Sequence, residues 1–400
     1  MEKFDNVRRE KPEMVERLVI AHYEGGCESL HFSGEPSTVK SKGVWKASVS
    51  LARKLGKEFV EWNRTTLEKK MEVLADPERY FVFADVRATE TDIGELRLQD
   101  MMNGEPFITF KYNVLFTALS KEGATGVLFL DEINNAPEMQ KTQFYKIIND
   151  RAIGDIPIAL GVLVCSAGNE VEHARGVTED AMPLILRRAN YFIEPPQCSC
   201  GDVQGECAWH SWCLESGMHE WVNGYTAFQP QNVHKVAYDN PKPIGQPCSR
   251  TWEKLSNVLR GLGEKPDMDL VRSVARGFVG QGVGEEFWSY VQTSRRVNID
   301  EVIRNPSVVK EFLGVKDASV LYAVMSGLVA RYQVAETLVQ KRKLLDVSTD
   351  VSLLVRPEFG VFLMRQVKAV NKEFFHKEMP QNAKFAGAWK EKYAKYFFGE

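Results

Sequence analysis

The sequence lacks an uninterrupted apolar run close to the ~20 residues that a membrane-spanning helix requires. Its first thirty residues are interrupted by charges such as Glu2, Asp5 and Arg8, so they lack the apolar core of a signal peptide. The chain has seven cysteines, an odd number, and two of them, Cys27 and Cys165, are far from the others in sequence. This pattern does not indicate a disulfide scaffold. These absences predict a soluble, cytoplasmic protein without a membrane partner.

An excess of basic residues is also missing. The formal net charge is −3 and the sequence pI is about 6.2, so the chain has no global basic footprint for nucleic acid. At 400 residues the chain is long enough for two or three domains with ample cores. Composition therefore favours a multidomain globular protein and argues against a nucleic-acid motor.

The segment from Gly126 to Asn135 carries the first functional signal. Val127 to Leu130 is a short apolar run that predicts a strand buried on both faces, as in parallel sheets. The run stops at Asp131 and Glu132, at the strand end where open α/β sheets bind their ligands. The first acid would hold Mg²⁺ and the second would orient a water for attack on a γ-phosphate. The alternative is a strand that ends in a solvated acidic turn.

A candidate phosphate-binding loop lies upstream, between a predicted strand at residues 29–33 and a predicted helix that ends near Gly56. Its spacing is that of GxxxxGK[ST], with Lys40 for the phosphates and Ser41 for Mg²⁺. Val39 stands where the pattern has glycine, and Ser37 stands where many such loops have glycine. Either the cradle is slightly altered, or nucleotide binding is weakened or lost. The residues of the loop are Gly34, Glu35, Pro36, Ser37, Thr38, Val39, Lys40 and Ser41.

Two further segments carry candidate catalytic residues. Residues 160–166 predict a second buried strand, and Asn169 just beyond it would position the attacking water, unless it belongs to an ordinary Gly-Asn turn. Arg187 and Arg188 follow at a predicted helix end. Paired arginines there are usually solvated. Alternatively, one of them could reach the γ-phosphate of a neighbouring subunit as an arginine finger.

Lys40-Ser41, Leu130-Asp131-Glu132-Ile133-Asn134, Ser166-Ala167-Gly168-Asn169, Leu186-Arg187-Arg188 and Cys248-Ser249-Arg250-Thr251-Trp252 occur in this order. The order resembles the AAA+ ATPases of the MoxR family, whose corresponding parts are Walker A, Walker B, sensor 1, the arginine finger and sensor 2. The resemblance covers most of residues 28–262. The sequence departs from the family at Ser37 and Val39, and at the two residues Cys248 and Thr251 around the lid arginine.

The resemblance implies an α/β P-loop fold with a five-stranded parallel sheet and flanking helices, followed by a helical lid and a helical C-terminal domain. The implied boundaries are 1–197, 198–292 and 293–400. It further implies ATP and Mg²⁺ as cofactors, bound at the subunit interfaces of a ring that follows the hexameric pattern of the family, with Arg250 reaching the γ-phosphate from the lid. ATP turnover would remodel a protein client, often with a von Willebrand A-domain partner. A scaffold that binds nucleotide without hydrolysing it is the alternative that Val39 leaves open.

A cluster of ligand-type residues lies in the predicted lid and consists of Cys198, Cys200, Cys207, His210 and Cys213. Its spacing is plausible for a structural zinc site, although it contains no clean CxxC pair. Tryptophans interleave with it at positions 209, 212 and 221, which is typical of a helix packing face. The cysteines are therefore interpreted either as zinc ligands or as small core residues.

Helices are predicted from Pro266 to the end of the chain. Residues 270–292 form a helical pattern around a glycine-rich break at 280–284. Residues 320–345 predict one long amphipathic helix. The sequence of this third shows no chemistry, and it leaves a partner-docking surface possible.

Overall fold

A computed structural model of the chain describes residues 8–27, 29–90, 97–101, 108–170, 182–200, 207–238, 244–314, 318–382 and 384–397. The chain divides into two compact units, Met1–Pro195 and Pro196–Glu400. None of the described helices is both long and apolar enough to cross a membrane.

The first unit is built on a seven-stranded sheet in the order β1-β11-β2-β10-β7-β4-β3, with every neighbouring pair parallel. The predicted α/β fold with a parallel sheet is thus confirmed, but the sheet has seven strands and not the expected five, because short strands β1 and β3 extend it at its edges. Two small antiparallel pairs, β5–β6 and β8–β9, lie outside it. The strands are Arg9–Glu10 (β1), Ser29–Gly34 (β2), Glu58–Glu61 (β3), Tyr80–Arg87 (β4), Arg97–Met101 (β5), Ile108–Tyr112 (β6), Thr125–Asp131 (β7), Ala152–Ile153 (β8), Ile156–Pro157 (β9), Val162–Gly168 (β10) and Ala189–Ile193 (β11).

Helices cover both faces of the sheet, which is why β7 reads as a continuous apolar run. Val127 and Phe129 join the core under α1 and α2, whereas Leu128 and Leu130 join the core under α3, α4 and α5. Alternate side chains of one strand therefore enter opposite cores. The helices of this unit are Met14–Glu24 (α1), Lys40–Lys54 (α2), Leu67–Ala75 (α3), Val114–Leu119 (α4), Glu138–Asp150 (α5) and Met182–Ile185 (α6).

Helix α2, which carries the candidate lysine, is packed closely on α1. A Cβ atom at Gly43 would lie 2.6 Å from Val15 Cγ1, so a side chain at this position would push the two helices apart. Val44, Ala47 and Leu51 from the same face of α2 are buried against the sheet. This packing fixes the helix that begins at Lys40, and with it the loop that precedes it.

The second unit is helical among its described residues and contains two apolar cores. One core joins residues between Trp209 and Val291 with Ala323. The other joins residues between Val302 and Tyr393 with Leu214 and Ala227. The two cores follow the predicted lid and C-terminal segments, whose division into separate domains stays a prediction.

The predicted glycine-rich break is present, because Gly280 has a φ of 81° and separates two helices. The single long helix predicted over residues 320–345 is wrong. Two helices are found, and Thr337 caps the second with a capping box to Gln340. The helices are Ala208–Glu215 (α7), Glu220–Phe228 (α8), Ser249–Gly261 (α9), Met268–Val279 (α10), Gln281–Arg296 (α11), Ile299–Arg304 (α12), Ser319–Val334 (α13), Leu338–Leu354 (α14), Pro357–Val370 (α15), Lys372–Glu378 (α16) and Lys390–Phe397 (α17).

Candidate functional site

The loop between β2 and α2 takes backbone conformations that favour glycine at the two positions where the sequence lacks it. Ser37 has a φ of 68° and Val39 a φ of 65°, both in the left-handed region. Such a conformation is rare for a β-branched residue and costs about 1–3 kcal/mol per strained residue. The loop therefore keeps the glycine-type path despite both substitutions, at a cost in stability.

The amine of Lys40 is fixed inside this loop. Its Nζ donates to the carbonyl oxygens of Gly34 at 2.9 Å and Glu35 at 3.0 Å, and to Thr38 Oγ1 at 3.0 Å. Only 8% of Lys40 is exposed. Gly34 itself permits the close approach of β11, because a Cβ there would lie 2.5 Å from the carbonyl oxygen of Ile193. An anion that enters the loop would meet a positive charge already held in place.

Ser41 and Asp131 meet at the carboxyl end of the sheet. Ser41 Oγ donates to Asp131 Oδ2 at 2.9 Å, and the backbone N–H of Glu132 donates to Asp131 Oδ1 at 2.9 Å. Both residues are half-buried, and the side chain of each offers an oxygen atom to a metal ion. A hydroxyl and a carboxylate in contact are ligands suited to Mg²⁺, which prefers hard oxygen donors. The pair predicted from two distant motifs is therefore brought together.

Glu132 follows directly and is also in the left-handed region, with a φ of 57°. Its Oε2 accepts a hydrogen bond from Thr89 Oγ1 at 3.2 Å. The turn of the backbone at Glu132 separates the directions of the two acids, so that Asp131 contacts Ser41 while Glu132 contacts Thr89. The two carboxylates can thus serve different roles.

Asp85 is a site residue that sequence analysis missed. It lies near the carboxyl end of β4, beside β7, and its Oδ1 is buried with no hydrogen-bond partner among the described residues. Burial, followed by the negative charge of Asp131, raises the pKa of the Asp85 carboxyl to about 6. Asp85 could have been identified from its position on the strand next to the one that ends at Asp131. Recognising that position requires the order of the strands in the sheet, which the sequence does not give.

Asn169 lies at the end of β10, where Asn134 holds its backbone. The Asn169 N–H donates to Asn134 Oδ1 at 3.2 Å, and Asn134 Nδ2 donates to the Asn169 carbonyl. Asn134 is buried, so these contacts fix the end of β10 against the segment that follows β7. Asn134 belongs to the same motif as the two acids, and its positioning role was not predicted.

The two neighbouring arginines have different surroundings. Arg187 is exposed, whereas Arg188 is only 8% exposed and its Nε donates to Asn190 Oδ1 at 2.9 Å. Burial, then the charges of Arg188 and Lys40, lower the pKa of His31 on β2 well below its usual value. The guanidinium of Arg188 therefore lies within its own unit. Arg250 belongs to the second unit, where it is exposed on the first turn of α9.

Four of the five ligand-type residues in the second unit come together. The ligand atoms of Cys198, Cys200, Cys207 and His210 all lie within 4.8 Å of one another. Cys213, in contrast, is buried in an apolar core.

No protein-family model matches the chain, and no curated protein matches it. Among solved structures, PCH-2 of C. elegans is similar at 10% identity and a TM-score of 0.28, over 71% of this chain and 67% of that chain. NtrX of Brucella abortus is similar at 11% identity and a TM-score of 0.30, over 94% of this chain and 69% of that chain. At such low identities and TM-scores, neither similarity assigns a fold or an activity to this chain.

Proposed function

We propose that the chain binds ATP with Mg²⁺ and hydrolyses it to ADP and phosphate, as an AAA+ ATPase of the MoxR type. The observation that carries the proposal is the contact of Ser41 Oγ with Asp131 Oδ2 at 2.9 Å, directly behind the loop that holds the Lys40 amine. A lysine-bearing loop at a helix N-terminus is suited to phosphates, and the adjoining oxygen pair is suited to their metal ion.

Each residue has a role in this proposal. Lys40 and the loop from Gly34 to Val39 bind the phosphates, and Ser41 and Asp131 hold Mg²⁺, which would neutralise charge on the phosphates. Glu132, turned away from Asp131, accepts a proton from the attacking water and orients it. Asn169, whose backbone Asn134 fixes, orients the same water. Arg250 would stabilise the developing charge, in the role that the resemblance gives to the lid arginine.

The arginine finger is assigned to Arg187. An arginine that acts on a neighbouring subunit must be accessible, and Arg187 is exposed while Arg188 is buried and hydrogen-bonded within its own unit. The assignment requires a homo-oligomer with ATP at subunit interfaces, which we propose to be a hexameric ring. Turnover in that ring would remodel or assemble a protein client, with a von Willebrand A-domain protein as a candidate partner.

Val39 supports a second candidate function, a scaffold that does not hydrolyse ATP and whose nucleotide binding is weakened or lost. A β-branched residue in a left-handed conformation is strained, and strain in the cradle could reduce affinity. The oxygen pair of Ser41 and Asp131 opposes this alternative, because a site without metal and nucleotide has no chemical need for it.

The test combines ATP binding and steady-state hydrolysis by the purified full chain and by Glu132→Gln. We expect the variant to bind ATP with unchanged affinity and to lose hydrolysis by about 10²–10⁴-fold, the usual contribution of a general base. Glu122→Gln, a change at an exposed position of the same unit, is the control and should behave as the unaltered chain. ATP binding without hydrolysis in all three proteins would favour the scaffold, and no ATP binding by any of them would refute the proposed ATPase.

A further inference from the structure

The second unit contains a compact group of three cysteines and one histidine that has no part in the proposed ATPase. The Nδ1 atom of His210 lies 3.6 Å from the sulfur of Cys198, 3.1 Å from that of Cys200 and 3.3 Å from that of Cys207. All cysteines of the chain are free, so none of these sulfurs is used in a disulfide. Three sulfurs thus surround one ring nitrogen.

These separations are those of ligands around a tetrahedral zinc ion. With Zn–S near 2.3 Å and Zn–N near 2.0–2.1 Å, tetrahedral angles place a sulfur and a nitrogen ligand about 3.5 Å apart and two sulfurs about 3.8 Å apart. The three observed S–N distances bracket the first value, and all ligand atoms lie within 4.8 Å of one another. Small side-chain adjustments would therefore complete the coordination.

The histidine is oriented as a metal ligand requires. Its other ring nitrogen, Nε2, lies 3.0 Å from the carbonyl oxygen of Asn223, a contact that a protonated Nε2 makes as a donor. That tautomer leaves Nδ1 with its lone pair directed at the three sulfurs. Ligating histidines commonly donate their second N–H to such an oxygen, which fixes the tautomer and the ring.

The surroundings of the sulfurs also suit thiolates. The backbone N–H of Ser199 donates to Cys207 Sγ at 3.3 Å, and that of Cys200 donates to Cys198 Sγ at 3.5 Å. Three thiolates and a neutral imidazole around Zn²⁺ leave a single net negative charge. The cavity that Cys200, Cys207 and His210 line is also lined by Arg365, Lys368 and Lys372, whose positive charges would offset it.

We propose that Cys198, Cys200, Cys207 and His210 bind one structural Zn²⁺. Binding would release the thiol protons to solvent and would bring the chain around residues 198–200 onto α7. Four protein ligands close the coordination sphere, which is the pattern of structural and not of catalytic zinc. Cys200 packs on one apolar core of the unit, whereas Cys198 and Cys207 pack on the other, so the ion would connect both.

The test is the zinc content of untagged full-length protein, purified without a metal column and measured by mass spectrometry after exhaustive dialysis. We expect one zinc per chain, reduced to near zero in Cys200→Ser and in His210→Ala. Cys213→Ala, on the same helix as His210, and Cys27→Ser in the first unit are matched controls and should keep one zinc. His210→Cys should also retain zinc, because a fourth thiolate is an accepted ligand.

A second measurement keeps the proposal testable where a ligand variant fails to fold. Zinc-depleted unaltered protein is titrated with Co²⁺, which should produce a thiolate-to-cobalt charge-transfer band and the intense visible bands of tetrahedral cobalt, saturating at one equivalent. Added Zn²⁺ should remove the bands, and bound zinc should protect three thiols from a thiol reagent. Absence of stoichiometric zinc together with absence of the cobalt bands would overturn the proposal, as would equal zinc loss in the two control variants.

Discussion

Ser41 and Asp131 stand ninety positions apart in the chain and share a hydrogen bond of 2.9 Å from the serine hydroxyl to Oδ2 of the carboxylate. The contact forms because α2 begins directly after the loop that follows β2, and because β7 ends at the same edge of the sheet. In the parallel order β2-β10-β7, one strand separates the two elements. The pair is therefore a consequence of topology that neither motif alone could specify.

Ser41→Ala should weaken the response to Mg²⁺. Loss of one oxygen donor is expected to raise the Mg²⁺ concentration for half-maximal ATP hydrolysis by about 10–100-fold, the range found for residues that support metal ligands. Ser50→Ala is the matched control, because Ser50 lies on the same helix and also donates to a carboxylate, Glu16 Oε1, at 2.9 Å. A Mg²⁺ titration of hydrolysis checks this, and equal shifts in both variants would contradict the assigned role.

Val39→Gly should stabilise the protein. Removing the strain of a valine in the left-handed region should stabilise the folded state by about 1–3 kcal/mol. The greater backbone freedom of glycine in the unfolded chain costs about 0.5–1 kcal/mol. The free energy of unfolding should therefore rise by about 1 kcal/mol. ATP affinity should change little, because the backbone already follows the glycine-type path. Urea unfolding and ATP binding provide the measurements.

Val49→Gly is the control for that change, since Val49 is half-buried in the regular part of α2. There the same substitution should destabilise the protein, because glycine is poorly suited to a helix interior. ATP binding that appears only in Val39→Gly would instead show that the valine side chain, and not the backbone, closes the site.

Features that depend on neighbouring residues can be predicted from this sequence, whereas features that depend on strand order cannot. The β7 run, the loop spacing and the break at Gly280 were predicted correctly because each depends on neighbouring residues. Asp85 and Asn134 were missed as site residues, because their roles depend on which strands are adjacent. The single helix predicted over residues 320–345 is wrong, because apolar residues keep their helical spacing across Thr337. The side chain of Thr337 caps a second helix that begins at Leu338.

Asp85→Asn should stabilise the protein near neutral pH. The folded-state pKa of about 6 exceeds the unfolded value of about 3.9, so the folded state favours the protonated form. The protonated Asp85 carboxyl stabilises the folded state, and this contribution is fully present below pH 4 and is lost as the pH rises through 6. At pH 8 the variant should be more stable by about 2 kcal/mol, after allowance for partial exposure.

Urea unfolding of both proteins at pH 4 and pH 8 checks this prediction. The two proteins should differ little at pH 4, where a protonated Asp85 resembles asparagine, so that condition is an internal control. A stability difference that is equal at both pH values would refute the raised pKa as its cause.

Arg187→Ala should reduce ATP hydrolysis, whereas Arg188→Ala should reduce the stability of the fold. Arg187 is exposed, so its loss should leave stability unchanged and reduce hydrolysis by on the order of 10³-fold or more, the contribution of an arginine finger. Arg188 is buried and bonded to Asn190, so its loss should lower the free energy of unfolding by about 1.5–3 kcal/mol.

Mixing inactive variants tests whether Arg187 acts between subunits. An Arg187→Ala subunit retains its own Glu132, and a Glu132→Gln subunit retains its own Arg187, so an interface between the two can contain one complete site. We expect each protein to be inactive alone and the mixture to recover part of the hydrolysis, with a maximum near equal proportions. Without recovery, although the subunits demonstrably co-assemble, Arg187 would act within its own chain. Full activity of Arg187→Ala alone would remove it from the reaction, because an exposed arginine that contacts no phosphate has no means of stabilising the charge that develops there.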